Sequence, residues 1–158
     1  MNPAVTFAAA VISGFAWRAV PVYLVAQVIG AIAGTWLAHA MFAVPILEVS
    51  TQVRTGSGQW IAEALAVFGL LGVIWGCLNY STPVAAGAVA TYIAGAYWFT
   101  ASTSFANPAV TIARSFSDTF SGIRPADAPG FIVAQFAGLL IALPALRALT
   151  GHRPSSSN

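Results

Sequence analysis

Long apolar runs alternate with short polar clusters along this chain, and the clusters carry nearly all of the charge. No Asp, Glu, Lys or Arg lies between Arg18 and Glu48, nor anywhere from Ala64 to Ala113. A helix needs about 20 apolar residues to span a bilayer. The first stretch therefore accommodates one span, and the second accommodates two spans and a re-entrant segment. Breakers sharpen the limits. Spans are predicted over 21–44, closed by Pro45, over 60–78, over 84–100 and over 130–149. The turn Asn79-Tyr80-Ser81-Thr82-Pro83 joins the second span to the third as an antiparallel hairpin. One polar loop carries Glu48, Gln52, Arg54 and the flexible Gly56-Ser57-Gly58. Another carries Asp118, Arg124, Pro125, Asp127 and Pro129. Two short helical pieces, 7–14 and 108–116, fall far below spanning length, and the tail 150–158 reads as disordered.

Small residues recur where helices are expected to approach closely, at Gly30, Ala31, Ala33 and Gly34, at Gly69, Gly72 and Gly76, and at Gly87 and Gly95. Lipid supplies no hydrophobic drive between helices, so such surfaces hold a bundle together by close packing.

A repeat is superimposed on this pattern. Asn-Pro-Ala-Val-Thr occurs at Asn2 to Thr6 and again at Asn107 to Thr111. Val25-Ala26-Gln27-Val28-Ile29-Gly30 in the first copy answers Val133-Ala134-Gln135-Phe136-Ala137-Gly138 in the second. The copies keep register apart from one three-residue insertion, the mark of a membrane protein built from internal repeats.

Composition agrees with that class. Hydrophobic residues make up 58% and charged residues 6% of the chain, against roughly 45–50% and 25% in a soluble domain. A net charge of +2 without a single lysine leaves no basic face for nucleic acid. Cys77 stands alone, which excludes an internal disulfide and a cysteine metal cluster; it reads as a small packing residue. His39 and His152 sit outside any acid-rich or Cys/His constellation, so neither an enzyme nor a metal or other cofactor is expected. His39 reads as a packed or interfacial histidine.

Asn is a strong N-cap, Pro is tolerated at the first helical position, and Ala is the best helix former. Asn2-Pro3-Ala4 and Asn107-Pro108-Ala109 therefore each start a helix abruptly. A helix that begins at bilayer depth must line a cavity or be buried in protein. Two such starts meeting head to head place two Asn amides and two positive dipole ends around one point, an arrangement that donates hydrogen bonds to a neutral solute and repels cations.

With these paired motifs the chain resembles the major intrinsic protein family, the aquaporins and aquaglyceroporins, over nearly its whole length. The resemblance implies an all-α, aquaporin-like inverted-repeat bundle, here with four spanning helices and two re-entrant half-helices. It implies one channel domain over 1–149, with an incomplete first repeat (1–44) and a second repeat (59–149). It also implies a homotetramer in a bacterial inner membrane whose permeants are water, glycerol-like polyols and, in some relatives, uncharged metalloid acids. Glu63, an acid inside a span, is implied to buttress a half-helix loop.

Two departures qualify the resemblance. Two spans precede the second Asn-Pro-Ala, but only Met1 precedes the first, so repeat symmetry implies that about 45–50 residues of the family pattern, two helices, are absent ahead of it. The alternative function is accordingly a non-conducting fragment of such a channel. The second departure is at the narrow filter, where the family usually has arginine directly after the second Asn-Pro-Ala and this chain has Val110. Counting back without gaps assigns the other visible filter positions to Gly95 and Ser104, a small, uncharged set that implies a wide filter. Arg114 lies one helical turn beyond Val110 on the same face and is expected to anchor the loop holding Asp118. The family arrangement would set Arg18, Arg147 and Arg153 on the cytoplasmic side and Arg54, Arg114 and Arg124 outside, an even split that gives the positive-inside rule no leverage.

Overall fold

The computed structural model describes residues 2–151. All regular structure among them is helical: α1 (Pro3–Ile12), a 3₁₀ turn (Trp17–Ala19), α2 (Val20–Met41), α3 (Ser57–Gly76), α4 (Thr82–Phe99), α5 (Pro108–Arg114) and α6 (Ala128–Gly151). The expected set of four long helices and two short ones is present. Beyond Gly151 the predicted tail, with His152 and Arg153, lies outside the described residues.

Prolines set several starts earlier than the sequence reading placed them. Pro21, Pro83 and Pro129 each fall in the first turn of a helix, where the missing N–H would be unpaired anyway. Pro83 and Pro129 thus open α4 and α6 instead of standing before them, while Pro21 lies in the first turn of α2, whose span was expected to begin with it. The end of α2 comes at Met41, ahead of Pro45. Ala43 takes a left-handed φ of 55° and the Val44 N–H donates to the His39 carbonyl at 3.0 Å, the 6→1 bond of a Schellman stop.

By length and composition three segments, Trp17–Met41, Ser57–Gly76 and Ala128–Ala148, are able to cross a membrane. Helix α4, expected as a fourth span, is 18 residues long, but its Thr, Tyr, Trp, Gly and Ala content makes it less apolar than the other three.

The most extensive packing joins α3 to α6, with α4 lying along α3 and α2 resting on α1 and α5. Ala4, Ala8, Val67, Leu71, Trp75, Leu139 and Leu146 form the main core. Close approach depends on Gly138, where a Cβ would run into the backbone carbonyl of Ala64, and on Gly69, where it would meet the Tyr92 ring. Tyr92 also donates its hydroxyl to the Ala66 carbonyl at 3.0 Å. The other predicted small-residue contacts need correction: Gly30, Gly34, Gly72, Gly76 and Gly87 have no atom near the space a Cβ would take, and at Gly95 only Phe99 comes close. Among the described residues no neighbouring helix approaches those positions.

Gly138→Val is expected to separate α3 from α6, because backbone cannot yield as a flexible side chain can. A loss of about 3 kcal/mol is of the size that overpacking produces at its upper range. Thermal unfolding in detergent, compared with Gly72→Val, measures it; equal melting of the two variants would refute the contact.

The polar loops are tied together by arginines. Arg54 donates from Nε to the Gly122 carbonyl at 2.6 Å, from Nη2 to Phe120 at 2.8 Å and from Nη1 to Ser102 at 3.2 Å, joining three loop segments that are distant in sequence. Arg124 donates to Asp127 Oδ1 at 2.9 Å, while Oδ2 accepts from the Arg54 backbone N–H at 2.9 Å. The Arg124 hydrogen bond, which outweighs the opposing effect of desolvation, holds the Asp127 carboxyl below its usual range. A depressed carboxyl contributes stability above its unfolded pKa of about 3.9, and that contribution is lost as pH falls through the lower folded value. Melting temperature should therefore hold from neutral pH to about 5 and decline below about 4. Asp127→Asn should melt lower at neutral pH and lose part of that acid dependence; parallel pH profiles of parent and variant would contradict the assignment.

Candidate functional site

The two repeated motifs build the site locally in the same way. Asn2 Oδ1 accepts from the Ala4 N–H at 3.0 Å, and Asn107 Oδ1 accepts from Ala109 at 3.0 Å and Val110 at 3.3 Å. Each asparagine is thus the N-cap of its short helix. Each motif threonine turns back on its asparagine, Thr6 donating to the Asn2 carbonyl at 3.1 Å and Thr111 to that of Asn107 at 2.9 Å.

Each threonine hydroxyl also accepts from the glutamine of the matched second block, Gln27 to Thr6 and Gln135 to Thr111, both at 2.9 Å. The sequence reading registered Val-Ala-Gln as a repeat without assigning it a task. Its task is to clamp each short helix to the long helix that follows. A glutamine at the same place in the matched second block of both repeats was the available signal.

The two short helices meet at their starts. Asn2 Nδ2 donates to the carbonyl of Ala106, the residue just before Asn107, at 2.6 Å. Asn2 and Asn107 line one cavity of about 400 Å³ together with Ser104, Phe105, Val110 and Arg114, and with Val89 and Ile93 of α4. Asn2 also borders a second cavity of about 230 Å³ beside Thr6, Tyr23 and Gln27, and Arg114 borders a third of about 300 Å³ beside His39 and Ser117. The three cavities thus follow one another through shared lining residues.

Segment 102–106 is fixed against strain. Thr103, Ser104 and Ala106 all have left-handed φ, at 60°, 47° and 48°, a conformation costing an L-residue roughly 1–2 kcal/mol. Glu63, fully buried in α3, holds the segment in place. Its Oε1 accepts from Ser102 Oγ at 2.5 Å and Phe105 N–H at 2.8 Å, and its Oε2 from Ala106 N–H at 2.8 Å and Gln135 Nε2 at 2.6 Å.

Gly95 does not line the central cavity; Val89 and Ile93 do. Those two are one helical turn apart, and Gly95, two residues past Ile93, is rotated about 200° from it. The Arg114 backbone carbonyl accepts from the Ser117 N–H at 3.3 Å and the Ile123 N–H at 3.2 Å, in the loop holding Asp118, and Asp118 itself accepts from the Thr51 N–H at 2.7 Å and hydroxyl at 2.9 Å. The Arg114 guanidinium lies 4.2 Å from the centre of the Phe105 ring and borders the cavity. His39 is buried; its Nδ1 faces the Ile46 carbonyl at 3.3 Å and its Nε2 faces Ser117 Oγ at 2.9 Å. A carbonyl can only accept, so Nδ1 is the donor toward Ile46, and Nε2 also lies 3.6 Å from Glu48 Oε1.

Comparison with known proteins agrees with this arrangement. The Major intrinsic protein family model matches residues 1–101. Aquaglyceroporin AqpS of Rhizobium meliloti (strain 1021) is 51% identical over 146 residues, covering 92% of this chain and 63% of AqpS. Glycerol uptake facilitator protein of Bacillus subtilis (strain 168) is 56% identical over 34 residues, 22% of this chain and 12% of that protein. Aquaglycerol porin AQY3 of Saccharomyces cerevisiae is 50% identical over 42 residues, 27% of this chain and 6% of AQY3. The chain thus spans less than two thirds of the length of AqpS. No solved structure matches. With the two capped short helices, the helical bundle around them and a family model matching most of the chain, this membrane protein belongs to the major intrinsic protein family.

Proposed function

We propose that the protein forms a passive channel for water and small neutral solutes of the glycerol type, and is not an enzyme. The observation that carries this reading is the meeting of Asn2 and Asn107 on one cavity whose other polar lining residues are Ser104 and Arg114 and whose remaining wall is apolar, with Val5, Leu70, Ile74, Val89, Ile93 and Val110 among it. Apolar walls offer a solute no hydrogen bonds, so the few polar groups mark where its hydroxyls are received. The likeness to AqpS and to a glycerol uptake facilitator supports the same solute class. Residues 1–149 act as one domain in this reading, with Asn2, Pro3, Ala4, Asn107, Pro108 and Ala109 shaping the narrow centre, Ser104 and Val110 beside it, and Glu63 holding its loop. Small uncharged metalloid acids match the same size and polarity. Assembly as a homotetramer in a bacterial inner membrane belongs to this proposal.

One observation favours a second reading. Helix α4 packs along α3 while α2 packs on α1 and α5, and no substantial contact joins α2 to α4 among the described residues. On that side the cavity lacks a wall, so the chain would conduct nothing until another segment closes it. Stopped-flow swelling of vesicles separates the two. Glycerol permeability above that of empty vesicles, removed by Asn107→Leu, supports the channel. Permeability equal to that of empty vesicles overturns it for this chain and leaves the non-conducting reading.

A further inference from the structure

We infer that Arg114 and Ser104 form a binding subsite for a small oxoacid, held as its monoanion, at the end of the central cavity. Arg114 Nη1 is buried without any hydrogen-bond partner, and so is the hydroxyl of Ser104, a residue only 6% exposed. Both residues line the same cavity. Buried polar atoms are normally paired, and two orphans on one cavity call for a ligand that pairs them.

Charge defines the ligand class. The chain has four acidic residues, and none pairs with Arg114. Glu63 is saturated by four donors. Asp127 is held by Arg124 and the Arg54 backbone. Asp118 is held by Thr51, and Glu48 accepts from the Asp118 N–H at 2.9 Å. A second guanidinium, Arg54, lies 5.1 Å from the Phe105 ring that Arg114 covers, and its side-chain partners are all neutral oxygens. Two cations thus converge on one aromatic ring, and the single Glu63 carboxylate acts on both of them, which leaves an excess of positive charge beside the cavity. A guanidinium fork binds the paired oxygens of an oxoacid better than it binds a spherical ion. Ser104 Oγ supplies one further donor, and Phe105 and Val110 line the same cavity.

The inference names a solute class beyond that of the proposed channel, and its readout is binding, which does not require conduction. The test is titration of the full chain in detergent micelles with ¹³C-formate, followed by NMR line broadening, with acetate and chloride as competitors. The expected result is saturable formate binding that acetate displaces better than chloride. Affinity should fall at least about tenfold in Arg114→Gln and severalfold in Ser104→Ala, with Arg114→Lys in between and Arg124→Gln unchanged. If Arg114→Gln does not fold, as judged by helical circular dichroism, the Lys and Ser104→Ala variants carry the test. Absence of saturable binding, equal affinity in the Arg114 variants, or displacement by chloride as effective as by acetate would overturn the assignment.

Discussion

Replacing Glu63 with leucine is expected to produce the largest loss of stability of any single change at this site. Four donors converge on the two carboxyl oxygens, and removing the acceptor leaves each of them buried and unpaired at about 1–3 kcal/mol apiece before relaxation. The same bonds hold three left-handed, non-glycine residues in segment 102–106, so the strain stored there would no longer be opposed. A net loss of about 3 kcal/mol or more is expected. Glu63→Gln should fall between parent and leucine, since its amide retains one acceptor oxygen but sets an NH₂ group against donors. Thermal unfolding in detergent measures both, and a leucine variant melting within a degree or two of the parent would contradict this role.

The second large effect is expected at Val110. Its side chain borders the central cavity one turn before Arg114, and Val110→Arg would introduce a guanidinium at the i position of an i,i+4 pair of like charges. The two cations repel, and the new side chain fills the space between Ser104 and the α4 wall. In a preparation that conducts glycerol, flux of glycerol-sized solutes should drop about tenfold or more, the equivalent of a barrier increase of about 1.4 kcal/mol, while water retains a larger share of its flux. The measurement is the ratio of glycerol to water permeability in vesicles with matched protein content. An unchanged ratio would mean that residue 110 does not border the path of the solute.

How much of this was legible in the sequence differs from residue to residue. The repeated Asn-Pro-Ala-Val-Thr and the charge-free runs sufficed to find the helices and the two capped starts, because N-capping and apolar length are local properties. The face shared by Val110 and Arg114 followed from helical spacing alone. The stacking of the Arg114 guanidinium on Phe105 did not, since that contact depends on how segment 102–106 folds back over the helix. Gly95 was reached by a gapless count from Asn107, whereas the α4 wall of the cavity at the two asparagines, Val89 and Ile93, needed the three-dimensional arrangement. The glycine clusters on α2, α3 and α4 illustrate a different limit. Small residues permit close packing, but only the three-dimensional arrangement decides that Gly69 and Gly138 meet a neighbour while Gly30 and Gly76 do not. Arg54 looked like an ordinary loop charge, and its role as the tie among three loops depends on partners about 50 to 70 residues away.

The central claim is that the cavity between Asn2 and Asn107 is reached by aqueous solutes in a bilayer. Thiol accessibility in lipid vesicles tests it most directly, using single-cysteine variants in a Cys77→Ser background. Val110→Cys should react with a small, hydrophilic, membrane-impermeant thiol reagent within about tenfold of the rate of Thr55→Cys in the exposed loop, because a water-filled cavity admits the reagent. Leu71→Cys, fully buried in the core, should stay unlabelled, and added glycerol should slow labelling at position 110 alone. If Val110→Cys proves as protected as Leu71→Cys in folded protein, the cavity is closed to water and the channel account is wrong.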